Sequence, residues 1–249
     1  MKLADTNRAA DSCDGPLATA QEQLTVRQAY ALWAETYDSV ANPLLSLEDR
    51  YLQLMLPLLA DKTILDLGCG TGRLLDRLSL SATGWYLGID LSSAMLEHAA
   101  KKLHVSGHLL QADCLKLPLR SNIADVVVSS FLLGYVDIQQ LAAEIARVSK
   151  EDSDLYLSEF HPEGYSRGWK RSFRSGGRVI DLPTHHYSPL DVEDVFRLHG
   201  FDFVGIIEPG FGEPERQIFL ANNKNDVFES SQGTRAIFIS HLRRSSSAA

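Results

Sequence analysis

The stretch TILDLGCGTGRLLDRL, residues Thr63 to Leu78, places a carboxylate and three glycines between an apolar run and a helix-like run. Asp66 stands at the end of the apolar run, and Gly68, Gly70 and Gly72 follow within six residues. One glycine is enough for a tight turn, whereas three allow a ligand to lie directly against the backbone. A loop that leads into a helix also offers free backbone N–H groups. The stretch therefore predicts a ligand-binding turn between a strand and a helix.

The same loop differs from the G-x-G-x-x-G turn that binds dinucleotides. Its glycines run G-x-G-x-G, and Arg73 stands where the dinucleotide turn has its third glycine. The Asp66 carboxylate would repel a pyrophosphate and attract a cation. A nicotinamide-dependent oxidoreductase is therefore a disfavoured alternative, and a cationic ligand is favoured.

From Lys62 onward, short apolar runs alternate with helix-like runs. Strands are predicted for TILDLG, GWYLGID, HLLQAD, ADVVVSSFL and SDLYLSEF, with FDFVGIIE and RAIFISHL as two closing strands. Helices are predicted for GRLLDRLSL, SSAMLEHAAKKL, IQQLAAEIARVSK and SPLDVEDVFRLHG, the last of these capped by Ser188 and stopped by Gly200. This alternation predicts an α/β fold with a parallel sheet covered by helices on both faces. In such folds, ligands bind beyond the carboxyl ends of the strands.

Two further acids stand at predicted strand ends. Asp90 ends the second strand, 24 residues after Asp66, and Asp113 ends the third. An acid at the end of the second strand can bind both hydroxyls of a ribose, and Asp113 is well placed for an adenine amino group. A ligand with a ribose, an adenine and a positive charge, but no phosphate, matches these three acids. S-adenosylmethionine has this description.

Four segments in order, ILDLGCGTG, LGIDLSSAML, LQADCLKLPLRSNIADVVVSSFLL and EIARVSK, resemble the class I S-adenosylmethionine-dependent methyltransferases of the small-molecule, type 11 kind. The likeness covers roughly residues 25–160. It implies a Rossmann-like, mostly parallel sheet of seven strands in the order 3-2-1-4-5-7-6, with strand 7 antiparallel, helices on both faces and an N-terminal helical lid. It also implies methyl transfer to an O, N or C atom of a small anionic or aromatic molecule, with S-adenosylhomocysteine as the product.

The resemblance further implies cofactor-binding roles for the following residues: Tyr37, Asp66, Gly68, Cys69, Gly70, Asp90, Leu91, Asp113, Cys114, Ser129 and Ser130. Tyr37, in the segment WAETYD, matches a tyrosine that covers the cofactor in relatives, although its helical spacing from Trp33 also suits an ordinary core position. One departure is EDSD at 151–154, where the family has a proline-glycine turn. A changed turn is the only expected consequence.

The domain organisation is predicted from composition and periodicity. Residues 1–20 and 245–249 are small, polar and aperiodic, which predicts disordered tails. Residues 21–60 predict a helical cap, with one helix through Tyr37 and a second that begins near Pro43 and ends or kinks at Pro57. Residues 61–244 predict a class I methyltransferase domain with a substrate-binding insertion at about 159–188.

The predicted insertion is basic and aromatic. Residues 167–178 hold five cations, and no acid occurs from 165 to 180. Trp169, Arg171 and Arg174 are predicted to bind the acceptor, and a solvated surface hairpin is the alternative. If the acceptor must lose a proton, His161 is the first candidate base, followed by His186 or its neighbour His185. Each histidine also has a structural alternative.

Bulk composition limits the possible partners. The 249 residues carry a formal net charge of −8, which disfavours nucleic acid and anionic membranes. The three cysteines are far apart and match no zinc spacing, so free thiols and no metal site are expected. The sequence shows neither a secretory signal nor a membrane span, which predicts a cytoplasmic enzyme with a small-molecule acceptor. The oligomeric state stays open.

Two rival functions fit the same pattern. Relatives that esterify malonyl carriers share this build, so the acceptor could be a carrier-bound acyl group, and a basic segment that faces outward would favour this. Alternatively, the fold could bind the cofactor or a partner without catalysis. The presence of all three acids, Asp66, Asp90 and Asp113, argues against that second rival.

Overall fold

The computed structural model describes residues 24–75, 78, 84–102 and 107–246. Strands within these ranges are β1 (Thr63–Leu67), β2 (Trp85–Asp90), β3 (Gly107–Gln111), β4 (Ala124–Ser130), β5 (Ser149–Phe160), β6 (Ser172–Ser175), β7 (Arg178–Asp181), β8 (Phe201–Ile207) and β9 (Ile237–Arg244). Helices are α1 (Val26–Tyr37), α2 (Pro43–Met55), α3 (Ser93–Ala100), α4 (Ile138–Val148), α5 (Pro162–Ser166), α6 (Pro189–Leu198), α7 (Glu213–Ala221) and α8 (Asn225–Ser230). The predicted tail over 1–20 lies outside the described residues, as do residues 247–249 of the other tail.

Seven strands form one sheet in the order β3-β2-β1-β4-β5-β9-β8. The first five are parallel to one another, whereas β9 runs antiparallel to both β5 and β8. The predicted fold class and strand order are therefore confirmed. The central strands are apolar on both faces because helices cover both faces, as the run Val126-Val127-Val128 in β4 illustrates.

Helix starts follow the capping residues in the sequence. The Ser92 hydroxyl accepts a hydrogen bond from the Met95 N–H at the start of α3. Ser188 and Asp191 form a reciprocal capping box at the start of α6, with Pro189 in the first turn. These local signals place both helices where the sequence predicts them. The predicted helix GRLLDRLSL falls partly on residues outside the described ranges.

The segment EDSD is part of a strand instead of a turn. Ser149 pairs with Ala124 and Asp154 pairs with Val126, so residues 150–153 bulge out within β5. Asp152 adopts a positive φ of 58° in this bulge. The expected change of turn is therefore wrong, because the chain enters β5 directly from α4 and absorbs the extra residues as a bulge.

Two apolar cores lie on opposite faces of the sheet. One contains buried residues of α4 and α6, such as Ile145 and Phe196, and the other contains buried residues of α2, such as Leu47 and Leu52. A third, smaller cluster joins Ala29 of α1 to Phe173 of the β6–β7 hairpin. Within the described part of the chain, no helix is long and apolar enough to cross a membrane.

Several elements beyond the central sheet were not predicted from the sequence. The segment 159–188 holds α5 and the antiparallel β6–β7 hairpin, which contacts α1. Between β8 and β9, α7 and α8 pack on each other and α7 packs on α2. The segment 159–188 leaves the sheet at the carboxyl end of β5, the edge where the sequence predicts a ligand.

Candidate functional site

A cavity lies at the carboxyl ends of β1 to β4 and holds about 1080 Å³ of empty space, part of it open to solvent. Residues that the sequence predicts as cofactor-binding line it: Tyr37, Asp66, Gly68, Cys69, Gly70, Asp90, Leu91, Asp113, Cys114 and Ser130. Ser129 is the exception, since it is buried in β4 beneath the cavity wall. The structure thus brings these strand ends together.

The glycine loop turns sharply between β1 and β2. The N–H groups of Gly68 and Cys69 both donate to the Ile89 carbonyl, at 2.8 and 3.0 Å, which fixes the loop to the end of β2. Gly68 and Gly70 have positive φ values of 71° and 55°. A Cβ at Gly68 would come within 3.2 Å of the Leu132 side chain, whereas one at Gly70 would meet nothing within 4 Å. The loop backbone at Gly70 is therefore open to a ligand.

Asp66 is a buried carboxyl group at the end of β1, and only 1% of it is exposed. The Tyr86 hydroxyl donates to its Oδ2 at 2.8 Å. Burial raises the pKa of Asp66 to about 7, and this effect exceeds the opposing effect of the Tyr86 hydrogen bond. A cationic group in the cavity would favour the ionised carboxylate. The position therefore suits a ligand ammonium and would repel a phosphate.

Asp90 ends β2 with both carboxylate oxygens in use. The Gly70 N–H donates to Oδ2 at 2.9 Å and the Ser92 N–H donates to Oδ1 at 2.8 Å. Burial raises the pKa of this carboxyl group, and the backbone N–H groups partly oppose the rise. Each carboxylate oxygen has two lone pairs, so each can accept one more hydrogen bond. Two free acceptor positions on one carboxylate match two neighbouring hydroxyls.

The third acid, Asp113, is more open. It is exposed, and its Oδ1 accepts a hydrogen bond from the Leu115 N–H at 2.9 Å. Leu91 beside it is 46% exposed, and Cys114 is a buried free thiol. Burial raises the pKa of the Cys114 thiol to about 12, so the thiol stays protonated near neutral pH. This end of the cavity offers an apolar surface with one exposed acceptor.

The end of β4 carries polar atoms without partners. The hydroxyl oxygens of Ser129 and Ser130 are buried and form no hydrogen bond within the described residues. The next residue, Phe131, has a positive φ of 54°, which is strained for an aromatic residue. Because Ser130 lines the cavity, its unpaired hydroxyl can bond to a ligand there.

The wall opposite the sheet is built by α1. Its C-cap residue, Asp38, accepts a hydrogen bond from the Thr71 hydroxyl at 2.7 Å and pairs with Lys102 Nζ at 2.7 Å. These contacts join the end of α1 to the glycine loop and to the end of α3. Tyr30 and Tyr37 of α1 both line the cavity, so the cap forms part of the site.

Lining residues that were not predicted from the sequence include Tyr30, Arg73, Phe131 and Tyr135. The Arg73 guanidinium pairs with Glu48 and Asp49 of α2 behind the glycine loop. The ring centroids of Tyr30 and Tyr135 lie 5.4 Å apart in an edge-to-face arrangement. Tyr30 could have been found, because it shares a helical face with Trp33 and Tyr37. The turn after β4 carries no comparable local pattern.

None of the three predicted catalytic histidines lines the cavity. His161 is buried; its Nδ1 accepts a hydrogen bond from the Glu163 N–H at 3.1 Å, and its Nε2 lies 2.9 Å from Glu208. This pattern keeps the ring proton on Nε2 and leaves no free basic nitrogen. His186 stacks on Tyr165 and the His185 N–H donates to the Gly134 carbonyl. Their catalytic roles stay predictions that these positions do not favour.

The predicted acceptor residues also lie outside the cavity lining. Trp169 packs against Gly164 and Phe211, and Arg174 is exposed on β6. Arg171 is buried and forms an ion pair with Glu159, while its Nη1 donates to the Phe131 carbonyl at 2.8 Å. Arg171 therefore contacts the back of the cavity wall and not the cavity itself.

Arg171 and Glu159 together hold the turn after β4. The Glu159 carboxylate accepts a hydrogen bond from the Gly134 N–H at 2.8 Å. The Arg171 guanidinium carbon lies 4.9 Å from the Tyr135 ring centroid and 4.5 Å from that of Phe160. The buried pair thus fixes both ends of the turn that presents Phe131 and Tyr135 to the cavity. Its location favours a structural role for Arg171 over the predicted contact with the acceptor.

Comparison with known proteins agrees with this geometry. Residues 65–157 match the family model described as Methyltransferase domain. The chain is 33% identical over 154 residues to the malonyl-[acyl-carrier protein] O-methyltransferase of Alcanivorax borkumensis, covering 59% of this chain and 52% of that protein. It is 34% identical over 160 residues to the ubiquinone/menaquinone biosynthesis C-methyltransferase of Syntrophotalea carbinolica, covering 58% and 66%. The chain therefore matches about half to two thirds of the length of these relatives.

A solved structure extends the likeness to most of the fold. The S-adenosylmethionine dependent methyltransferase from Mesorhizobium loti superposes with a TM-score of 0.64 at 20% identity. The superposition covers 82% of this chain and all of that one. At this level of identity, the likeness shows a shared fold.

Proposed function

From the match of residues 65–157 to a methyltransferase domain, we propose that this chain is a class I methyltransferase that transfers a methyl group from S-adenosylmethionine to an O, N or C atom of a small molecule. When bound, the cofactor supplies a methyl group on a positively charged sulfur, which leaves as a neutral thioether. The protein's task in such a transfer is to align the acceptor with that methyl group and to exclude water.

The residues of the cavity fit this cofactor. Asp66 would pair with the ammonium of the methionine part, and Gly70 leaves the backbone open beside it. Asp90 would accept the two ribose hydroxyls on its free lone pairs. Asp113 and the apolar surface of Leu91 would receive the adenine, and the unpaired Ser130 hydroxyl would bond to the methionine part. Asp90 thus supplies a carboxylate for two hydroxyls, and Asp66 supplies one for a cation. The lining residues that the structure describes form no basic cluster for a phosphate.

The single observation that carries the proposal is a pair of carboxylates, the buried Asp66 and the partly buried Asp90, which lie on neighbouring strands and line one cavity. Burying a carboxyl group without a basic partner costs free energy. Among the described residues, Arg73 is a cation that lowers the pKa of Asp66, but its guanidinium pairs with Glu48 and Asp49 instead. A cationic, ribose-containing ligand accounts for both positions at once.

Calorimetric titration with S-adenosylhomocysteine tests the cofactor assignment. Asp90→Ala is expected to weaken binding at least tenfold, because one hydrogen bond to a charged group contributes about 1.5–3 kcal/mol. Asp113→Ala, at an exposed position, is expected to weaken it by less than about fivefold. Equal affinity of wild type and Asp90→Ala would remove the ribose assignment, provided that thermal unfolding shows both proteins folded.

The helical cap belongs to this function. We infer that residues 21–60 and 61–244 act as one unit, because α1 and the sheet share the cavity. The ion pair between Asp38 and Lys102 supports the same inference.

A carrier-bound acyl group is a second candidate for the acceptor. The specific observation in its favour is that four cations of the segment 159–188 are exposed: Arg167, Lys170, Arg174 and Arg178. Acidic carrier proteins suit an exposed basic surface. Turnover of an acyl group on its carrier, with no turnover of the free acid, would select this candidate, and Arg174→Ala would then weaken the reaction.

A further inference from the structure

Resting on the proposed methyltransferase function, we propose that the acceptor is an uncharged aromatic molecule, bound between Tyr30, Tyr37, Phe131 and Tyr135. This assignment narrows the class of small molecule and replaces the anionic acceptor that the basic hairpin suggests. It rests on where the cavity's rings and charges lie.

The strand order divides the cavity into regions. Asp113 follows β3, Asp90 ends β2 and Asp66 lies in β1, so the groups suited to an adenine, a ribose and an ammonium follow the sheet from its edge inward. Since β4 comes next in the sheet, the turn after β4 lies beyond the ammonium position. That turn, together with the face of α1 that carries Tyr30 and Tyr37, is the side left for the acceptor.

Aromatic rings dominate this side. Tyr30 and Tyr37 come from α1, and Phe131 and Tyr135 come from the turn after β4. The Tyr30 and Tyr135 rings meet edge to face at 5.4 Å, which shows that this wall is already arranged for aromatic contacts. Val26, Leu132 and Val136 supply the remaining apolar surface. A flat ring can stack or meet edges on such a wall, whereas these aromatic and apolar residues offer no charged partner to an anion.

The charges of the cavity oppose an anion. Three carboxylates line it, Asp66, Asp90 and Asp113. Two arginines among the described residues line the cavity. The charge of Arg73 is neutralised by Glu48 and Asp49, and Arg27 is exposed at the start of α1. Arg171 lies behind the wall, where its positive charge is neutralised by an ion pair with Glu159. An acceptor carboxylate would therefore enter an acidic cavity without a buried cation to receive it.

The tyrosines can still recognise a polar substituent. Burial raises the pKa of Tyr37 to about 12 and holds the pKa of Tyr30 well above its ordinary value. Both phenols therefore stay protonated and neutral near pH 7. A protonated phenol can donate a hydrogen bond to a hydroxyl or carbonyl oxygen on the acceptor ring.

Three matched probes test the proposal: 2-naphthol, 2-naphthoate and decahydro-2-naphthol, each titrated into protein saturated with S-adenosylhomocysteine. We expect 2-naphthol to bind at least tenfold more tightly than 2-naphthoate, because the carboxylate meets no cation. We expect it to bind several-fold more tightly than the saturated alcohol, because only the flat ring gains the aromatic contacts.

Substitutions locate the probe. Tyr30→Leu and Tyr135→Leu should each weaken 2-naphthol binding by about fivefold or more, whereas Tyr135→Phe should keep most of the affinity because it keeps the ring. Tyr165→Leu is the matched control, since Tyr165 stacks on His186 away from the cavity lining. Unchanged affinity for S-adenosylhomocysteine in each variant shows that the fold and the cofactor side are intact.

The outcomes separate this proposal from the proposed function. If S-adenosylhomocysteine itself does not bind, both are wrong. If it binds and 2-naphthoate matches or exceeds 2-naphthol, only the uncharged aromatic acceptor is wrong. If neither leucine substitution weakened the binding of 2-naphthol, the assignment to this wall would likewise be overturned.

Discussion

On one side of the cavity, β1, β2 and β3 present carboxylates from strand ends, and on the other side α1 and the turn after β4 present aromatic rings. The first side depends on local contacts, because backbone hydrogen bonds between neighbouring strands hold Asp66, the glycine loop and Asp90 in place. The second side depends on long-range contacts, above all the buried pair of Arg171 and Glu159. The difference predicts which substitutions affect the fold and which affect the ligand.

The largest expected effect is on the long-range side. Arg171→Ala leaves the Glu159 carboxylate buried without its partner, and removing one member of a buried ion pair costs about 3–5 kcal/mol. Arg174→Ala, three residues further on, changes an exposed cation and should alter stability by less than about 0.5 kcal/mol. Denaturant unfolding of both variants measures the contrast.

The double variant Arg171→Ala with Glu159→Gln sharpens this test. If the cost arises from an unpaired buried charge, neutralising Glu159 should recover part of the lost stability. Similar stabilities of Arg171→Ala and Arg174→Ala would instead show that Arg171 belongs with the exposed cations of the hairpin, as the sequence alone suggested.

These two arginines also show what the sequence could reveal. The glycine loop, Asp90 and the Ser92 cap were predictable, because each is encoded in a run of neighbouring residues. The order of the sheet was implied by the resemblance to class I methyltransferases. The burial and ion pairing of Arg171 were not predictable, because they depend on Glu159 at the end of β5 and on the rings of Phe131, Tyr135 and Phe160. A cluster of cations in the sequence does not say which one is buried.

The positions of the histidines outside the cavity lining could not be predicted for a similar reason. Position after a strand end suggested that His161 would face the ligand, and it does follow β5 directly. However, Glu208 follows β8 and Glu163 lies in α5, and both use its ring nitrogens. Only the packing of three separate segments shows that these nitrogens are occupied.

The second prediction concerns the ionisation of Asp66 on the strand-end side. Burial raises its pKa from the ordinary value near 4 to about 7. Its contribution to stability is therefore full below pH 4 and is lost as the pH rises through 7. A ligand ammonium binds the ionised form, so the affinity for S-adenosylhomocysteine should rise about tenfold from pH 6 to pH 8.

Calorimetric titration at pH 6, 7 and 8 measures this dependence. Asp66→Asn should bind more weakly at pH 8 and should lose most of the tenfold rise, since its side chain does not titrate. Asp113→Asn is the control and should keep the wild-type rise, because that carboxyl group is exposed. If the wild-type affinity did not change with pH, Asp66 would not be the group that pairs with the ligand ammonium.

The smallest expected effect lies where the two sides meet. Lys102 and Asp38 form an ion pair with side chains 30% and 40% exposed, so Lys102→Ala should cost less than about 1 kcal/mol in unfolding experiments. The helix should stay docked, because Trp33 stacks on Phe173 with ring centroids 4.8 Å apart and Ala29 is fully buried. Affinity for S-adenosylhomocysteine should fall by less than about threefold. A larger loss would mean that the surface ion pair, and not the aromatic packing of α1, holds the cap over the glycine loop.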